Sequence, residues 1–405
     1  MKPPHRTVEL RRVNYQAILR RLYLNGPLSR LELSAQTDLS PSTVTNVTGE
    51  MFEDGVLIEK GMEESLGGRP RILLDINPQY GYLVGIDLGE THVQIELFDF
   101  TRHKLATARE TISTDKNAPL TCVKIIVENL TDLISSTHIR RETILGVGVG
   151  VPGVVEHNGQ VVVAAPLWDW KPVRLLEMLE EQLDLPVYVD NGAKAMALAE
   201  SWFGAGRGVQ DMVVILIGTG IGAGIITKGT LYRGATNSAG EWGHTKIVLS
   251  GRPCRCGSRG CLEAYAGAPG IIATYDELAQ ITRASAEKEE ELTILTQIVQ
   301  AYKENDPVAR EVFQVTAEML GAGIANLVNL FNPERIVIGG WAGLLVGEAI
   351  LEDIIQAVKK YSLPLSAANL HIGLCEFGQD AVCMGAACLV LEEFLSSNEK
   401  FTRQS

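Results

Sequence analysis

Four metal-donor side chains lie close together in one stretch of the chain. Between Gly240 and Ala264 it reads GEWGHTKIVLSGRPCRCGSRGCLEA, where His244, Cys254, Cys256 and Cys261 are separated by nine, one and four residues. Three thiolates and an imidazole make up the Cys₃His set of a tetrahedral structural zinc site. Pro253, Gly257 and Gly260 allow the tight turns through which closely spaced cysteines converge on one ion. Protein would fill all four positions and leave none for water, so the ion would hold a loop and do no chemistry. A lone Cys-x-Cys would read as ordinary loop cysteines in a reducing cell; the third cysteine and the histidine decide for one structural Zn²⁺ per chain. Glu241 and Glu263 flank the cluster. Folding around the ion would set these carboxylates near each other, an arrangement suited to accepting hydrogen bonds from sugar hydroxyls. Two solvated surface acids fit the same spacing.

The segments Glu241-Trp242-Gly243-His244 and Cys254-Arg255-Cys256-Gly257-Ser258-Arg259-Gly260-Cys261-Leu262-Glu263 resemble the signature of the ROK family (repressors, open reading frames and sugar kinases). By the motifs described below, the resemblance extends over nearly the whole chain. It implies that His244 and the three cysteines bind zinc, while Glu241, Glu263 and the His244 side of the loop touch a sugar. The family leaves two roles open, sugar kinase and repressor.

A chain of 405 residues is too long for one ordinary core, and two or three domains are expected. Hydrophobic content of 46% and charged content of 21% describe a globular chain, with no apolar run approaching a membrane span. The opening MKPPHRTVELRR lacks the apolar core of a signal peptide, which predicts a cytoplasmic protein. Beyond the clustered cysteines, Cys122, Cys375, Cys383 and Cys388 have apolar neighbours and read as buried thiols rather than disulfides.

The net charge of −13 argues against nucleic acid if taken whole, but it is unevenly spread. Residues 1–80 carry ten Lys/Arg and ten Asp/Glu, so 81–405 hold the entire excess, 26 against 39. Lys2, Arg6, Arg11, Arg12, Arg20, Arg21 and Arg30 face only Glu9 at the start of the chain. A basic first segment on an acidic body is the charge pattern of a small DNA-binding head. A solvated basic helix is the alternative.

Periodicity predicts a helix over 7–25, with Leu10, Val13, Ala17 and Leu24 on one apolar face and Gly26-Pro27 as its stop. Ser29 and Glu32 form a capping-box pair for a second short helix ending near Thr37. Ser40-Pro41 opens a third, with Val44, Val47 and Met51 inward. Its other side presents small polar side chains, so Ser42, Thr43, Thr45 and Asn46 are the candidates to read base edges in a major groove. Residues 56–60 and 71–75 read as two strands around a long turn, which would complete a winged helix. That turn ends in Gly67-Gly68-Arg69-Pro70-Arg71, where Arg69 and Arg71 could enter a narrow minor groove. This segment also resembles the wing and hinge of the family's repressors.

From Tyr82 strands alternate with helices, which predicts α/β architecture. Strands are expected over 82–87, 93–98, 145–151, 187–190, 213–217 and 335–339. Helices are expected over 119–136, 173–184, 192–203, 308–330 and 380–396. Gly-rich turns occur at Asp87-Leu88-Gly89-Glu90-Thr91 and at Gly218–Gly224. The second resumes a strand where a dinucleotide fold needs a helix, so a Rossmann reading fits poorly. The pair of strand-turn-strand loops resembles the two-lobed, ribonuclease-H-like fold of sugar kinases and actin; two ordinary hairpins are the alternative.

Three positions depart from the family's kinases. Those enzymes carry Asp-x-Gly-Gly-Thr in the first loop, and Glu90 stands at the second Gly, where its charge would repel phosphate. Val187-Tyr188-Val189-Asp190-Asn191-Gly192-Ala193-Lys194 resembles the kinase segment ending in Glu-Asn-Asp-Ala-Asn. That resemblance puts Asn191 among the sugar contacts and Gly192 where the catalytic Asp belongs; glycine accepts no proton. Asp190, two residues earlier, is expected not to reach the same point. Leu167 replaces an Asn that grips the sugar. Losing a general base alone typically removes about 10²–10⁴-fold of rate. Trp168, Trp170 and Trp242 are candidates for stacking on a pyranose, with burial in the core as the plainer reading.

The expected protein is a sugar-responsive transcriptional repressor. Its winged helix-turn-helix domain covers 1–78. The two-lobed body divides into 79–191 and 192–379, with a helix over 380–397 packing back on the first lobe. It is no enzyme, holds one structural Zn²⁺, binds no ATP, and meets operator DNA as a homodimer or higher homo-oligomer. A small carbohydrate releases it, and no membrane is involved. The alternative is an ATP-dependent sugar kinase with a fused DNA-binding head; a third reading is a regulator answering to a protein, with a vestigial sugar cleft.

Overall fold

A computed structural model describes residues 5–63, 70–112, 118–156, 159–163, 172–282 and 288–396. Helix α1 (His5–Asn25) ends at Gly26, whose φ of +74° only glycine adopts without strain. Its buried residues are Ile18, Leu19, Leu22 and Tyr23. Leu10 and Val13 are 62% and 49% exposed, so the apolar face expected from spacing is corrected. Among its described side chains the buried ones lie in the C-terminal half of α1, and long-range packing decides which face that is.

Strand β1 (Leu28–Ser29), α2 (Arg30–Thr37), α3 (Pro41–Glu53), β2 (Leu57–Glu63) and β3 (Arg71–Ile76) follow. The capping box at the start of α2 is reciprocal: Ser29 N donates to Glu32 Oε2 at 2.8 Å and Ser29 Oγ accepts from Glu32 N. Ser40 caps α3, accepting from Thr43 N at 3.1 Å, with Pro41 at the first helical position. The two expected strands gain a third, since β1 pairs antiparallel with β3 in the order β1-β3-β2.

The first large sheet contains β4 (Tyr82–Leu88), β5 (His92–Asp99) and β6 (Lys104–Thr111). After α4 (Pro119–Thr137) comes β7 (Ile144–Val151). The small hairpin β8 (Val154–Val155) and β9 (Val161–Val163) leads to α5 (Leu175–Leu183) and β10 (Val187–Asn191). Helix α6 (Gly192–Phe203) then leads to β11 (Met212–Ile217), β12 (Ile221–Thr227) and β13 (Thr230–Leu231). Helices α7 (Glu263–Ala266), α8 (Ala268–Ala279), α9 (Lys288–Lys303) and α10 (Pro307–Phe331) precede β14 (Arg335–Gly339). Last come α11 (Trp341–Tyr361), α12 (Pro364–Ala367), β15 (His371–Leu374) and α13 (Ala381–Ser396). Every strand and helix expected from Tyr82 onward is present within a few residues.

Both large sheets have one topology. Their orders, β6-β5-β4-β7-β10 and β13-β12-β11-β14-β15, each join three antiparallel strands to two parallel ones. Helices α6 and α13 pack together and against strands of the first sheet, and α6 also meets β11 and β12. The approach is close: a Cβ at Gly85 or Gly148 would collide with the carbonyl oxygens of Cys383 and Ala386 on α13. One continuous core runs from Ile18, Val44 and Leu74 through Phe100 to α6 and α13. Tyr23 Oη donates to Phe100 O at 2.7 Å. Among the described residues, no helix is long and apolar enough to cross a membrane.

Candidate functional site

Backbone contacts with β12 place the cysteine-bearing loop. Ala223 N donates to Gly240 O at 2.9 Å, and Gly240, at φ +100°, has no room for a Cβ against the Ala223 carbonyl. Trp242–His244 form one 3₁₀ turn. The Trp242 side chain is buried, and its Nε1 donates to Gly323 O of α10 at 3.2 Å. Trp242 is therefore core and is not placed to stack on a sugar. Trp168, Trp170 and Leu167 lie outside the described residues.

Tight turns complete the loop: Cys254 N donates to Ser258 O at 2.8 Å and Gly257 N to Cys254 O at 3.0 Å, with Gly257 and Gly260 at positive φ. These bring His244, Cys254, Cys256 and Cys261 together, with one donor atom of each within 4.8 Å of all the others. Cys254 Sγ lies 3.7 Å from His244 Nδ1, and Cys256 Sγ lies 3.7 Å from Cys261 Sγ. Metal–sulfur bonds of about 2.3 Å in a tetrahedron put neighbouring donors about 3.8 Å apart. The cluster therefore fits a metal of that size. Burial pushes the Cys254 thiol up to about 12, so a cation is what would let it stand as thiolate.

The flanking glutamates differ in setting. Glu263, 7% exposed at the start of α7, accepts from Ile221 N at 3.0 Å through Oε2. Glu241 is more open, with Oε2 3.9 Å from His244 Nε2. Burial, reinforced by the like charge of Glu263, pushes the Glu241 carboxyl up, while His244 and Lys194 pull it down. Glu241, His244, Glu263 and Lys194 thus share one electrostatic environment. Asn191 stands apart from it in its bonding. Its Oδ1 caps α6 by accepting from Ala193 N at 2.9 Å, and its Nδ2 donates to Gly153 O at 2.8 Å.

Arg255, carried between two cluster cysteines, joins the two Gly-rich turns. Its Nη1 is 3.5 Å from Glu90 Oε2, its Nε is 3.5 Å from Glu263 Oε1, and its Nη2 donates to Thr219 O at 3.2 Å. In the first turn Asp87 Oδ2 contacts His92 Nε2 at 3.3 Å; in the second Thr219 Oγ1 donates to Glu291 Oε2 at 2.9 Å. Gly192 heads α6. Asp190 is buried and engaged, with Oδ2 3.3 Å from Arg233 Nε and Oδ1 accepting from Asn191 N and Asn237 Nδ2 at 2.8 and 3.1 Å.

Sequence reading passed over Arg255, although a charge between two clustered cysteines travels with them into the site. It also missed Lys194 and Asn237, whose side chains meet at 3.1 Å from separate elements and leave no local signal.

On α3, Val44, Val47 and Met51 are buried, as is Thr48, while Ser42, Thr45 and Asn46 are exposed and Thr43 is half-buried. Ser42 and Thr43 hydroxyls bond Ser40 Oγ at 2.9 and 2.8 Å, and Thr45 Oγ1 donates to Pro41 O at 2.8 Å. Arg71 is exposed at the start of β3, and Arg69 lies outside the described residues.

Over 396 residues the chain is 36% identical to the xylose repressor of Caldicellulosiruptor bescii, a match covering 96% of this chain and 98% of that one. It is 34% identical over 317 residues to a glucokinase of Halalkalibacterium halodurans, covering 77% of this chain and 96% of that one. A solved ROK family transcriptional regulator, homologous to the Mlc protein of E. coli, superposes with a TM-score of 0.80 at 27% identity, covering 96% of this chain and 100% of that one. Residues 83–393, which hold both large sheets and the Cys/His loop, match the ROK family itself, and to that family the chain belongs.

Proposed function

We propose that the protein is a sugar-responsive transcriptional repressor whose N-terminal three-helix unit with its small sheet is a winged helix-turn-helix domain. The observation that carries this reading is coverage: similarity to a repressor runs through α1–α3 as well as the body, whereas the glucokinase match covers 77% of the chain. In this reading α3 enters the major groove, Ser42, Thr43, Thr45 and Asn46 face base edges, and Arg69 and Arg71 add minor-groove and phosphate contacts. Two copies occupy two half-sites, and exposed Leu330, Phe331, Leu363 and Leu365 offer an apolar surface for a second chain. The protein works in the cytoplasm.

The Cys₃His cluster holds one Zn²⁺, which shapes the loop and supplies no open position for chemistry. Glu241, His244 and Glu263 receive a carbohydrate, with Asn191 fixing the start of α6 beside it. The domains divide near 78 and 191, and the ligand closes the lobes. A ligand with a hundredfold preference for one arrangement shifts the balance by about 2.7 kcal/mol. Gly192 and the engagement of Asp190 leave no free carboxylate at the start of α6 to act as a base, and Glu90 with Arg255 occupies the turns where a nucleotide would bind.

The test is a gel shift on a two-half-site operator over a panel of sugars. Wild type is released by one of them, while Glu263→Ala binds DNA normally and ignores it. Release of Glu263→Ala at wild-type sugar concentration would remove the sensing site. ATP-dependent phosphorylation of any sugar in the panel at about 1 s⁻¹ or more, an ordinary enzyme rate, would favour the kinase instead.

A further inference from the structure

A cavity of about 630 Å³ lies where the N-terminal elements meet the body, remote from the Cys/His loop in its lining residues. That volume falls within the roughly 300–1,000 Å³ usual for small-molecule sites. Lys60 and Asp75 line it from β2 and β3, and Arg102, Phe203 and Arg207 from the body. Three cations thus face one carboxylate in a chain of net charge −13.

Arg102 is the informative group. It sits in the β5–β6 turn at φ +70°, a conformation L side chains rarely adopt, where Asp99 Oδ1 accepts from Thr101 N and His103 N at 2.8 and 2.9 Å. Its guanidinium carbon is 3.5 Å from the ring centroid of Phe203 and 5.8 Å from that of Tyr23. Stacking uses the faces of the guanidinium and leaves its in-plane donors available. Among the described residues the Arg102 side chain makes no hydrogen bond or ion pair, and its Nε is buried without an acceptor. Burial holds the pKa of its guanidinium below the ordinary range and Arg207 adds to this, while Cys388, Tyr23 and Asp99 pull it back up. Arg207 donates to Leu24 O, and Lys60 is held by Asp75 at 2.5 Å.

A desolvated donor at Nε with a like charge at Arg207 is costly unless an anion answers it. The geometry points to a binding site for a small phosphoryl-bearing anion at this junction, separate from the sugar site. Guanidinium donors in a plane match phosphoryl oxygens, and the remaining volume admits more than the bare ion. Such a ligand would touch Lys60 on β2 and Arg102 and Arg207 on the body together. Its occupancy would therefore set how the N-terminal unit is held.

The test is calorimetric titration of the full chain, at low ionic strength, with inorganic phosphate and separately with glycerol 3-phosphate. Wild type, Arg102→Gln, Arg207→Gln and Glu263→Ala are compared, each checked for folding by circular dichroism. The expected result is saturable binding of at least one probe near one per chain, weakened tenfold or more in each folded arginine variant and unchanged in Glu263→Ala. Binding of phosphate identifies the free ion as sufficient; binding of the ester alone identifies a phosphorylated metabolite. Arg207 is exposed, so its variant keeps the test decisive where Arg102→Gln fails to fold. Absence of saturable binding to wild type, or wild-type affinity in every folded arginine variant, overturns the site. Because Glu263→Ala serves as the control, this result is independent of whether the sugar response exists.

Discussion

Arg255 Nη1 stands 3.5 Å from Glu90 Oε2, joining the β4–β5 turn to the loop that carries the cysteines. The same guanidinium faces Glu263 and the Thr219 carbonyl. A side chain at a candidate sugar contact is thereby linked to both Gly-rich turns. Removal of either partner of this half-buried pair leaves a charge without its partner, so the pair ties the cysteine loop to the β4–β5 turn.

Glu90→Gln keeps the shape of that side chain and removes its charge. The sugar concentration for half-maximal operator release is expected to shift by about fivefold or more, a coupling of about 1 kcal/mol. Arg255→Gln is expected to shift it further in the same direction, since it also gives up Glu263 and the Thr219 carbonyl, and the double variant to exceed Arg255→Gln by little, since Glu90 has then already lost that partner. Additive shifts in gel-shift titrations would show that the two residues act separately.

Metal analysis of purified protein is expected to find about one zinc per chain. Cys256→Ser should lose the metal and the sugar response while α1–α3 still bind DNA, because that unit packs on Phe100 and α13 and not on the loop. Stoichiometric zinc surviving in a His244→Ala/Cys256→Ser variant would end the assignment.

Asn46 is exposed on α3, and its amide is tied by no hydrogen bond among the described residues. Asn46→Ala is expected to cost about 1–3 kcal/mol in selectivity for the cognate half-site over a mismatched one. Arg71→Gln should instead weaken all sequences alike and lower the slope of log affinity against log salt by about one, measured by fluorescence anisotropy. Equal loss of selectivity in both variants would contradict this division of roles.

Glu96 is fully buried in β5, where burial pushes its carboxyl from 4.5 to about 7 against the pull of Lys104. Gln94 Nε2 and Lys104 Nζ reach its Oε1 at 3.0 and 3.1 Å, and Asp380 shares both partners. The folded value lies above the unfolded one, so between these pH values the unfolded chain has released a proton that the folded chain keeps. Stability from this group is full below about 4.5 and is lost as pH rises through about 7. Its loss should amount to roughly 3 kcal/mol. Glu96→Gln should flatten that part of the stability–pH curve in urea melts; an unchanged curve would show that Glu96 keeps its ordinary value.

Much of the fold was legible because its signals are local. Ser29 with Glu32, and Ser40 with Pro41, announce helix starts through bonds made within one turn. Strands β4 and β11 show as apolar runs that stop at Gly89 and Gly218, and β7 as valines alternating with glycines. The Cys/His cluster was legible for the same reason, since its four donors and its turn residues occupy one short loop. Gly192 at the head of α6 could be read directly from the missing side chain.

Sequence by itself determined the main strands and helices of the body, the candidate metal donors and the glycine that heads α6. Tertiary structure alone decided that Trp242 is core, because its partner is the Gly323 carbonyl on α10. It alone decided that α1 buries Ile18 and Leu22 and leaves Leu10 exposed, since a helix face is chosen by what packs on it. It alone brought Arg255 to Glu90 and set Arg102 over Phe203. Such contacts join residues distant along the chain, and neither spacing nor propensity records which distant side chain will arrive.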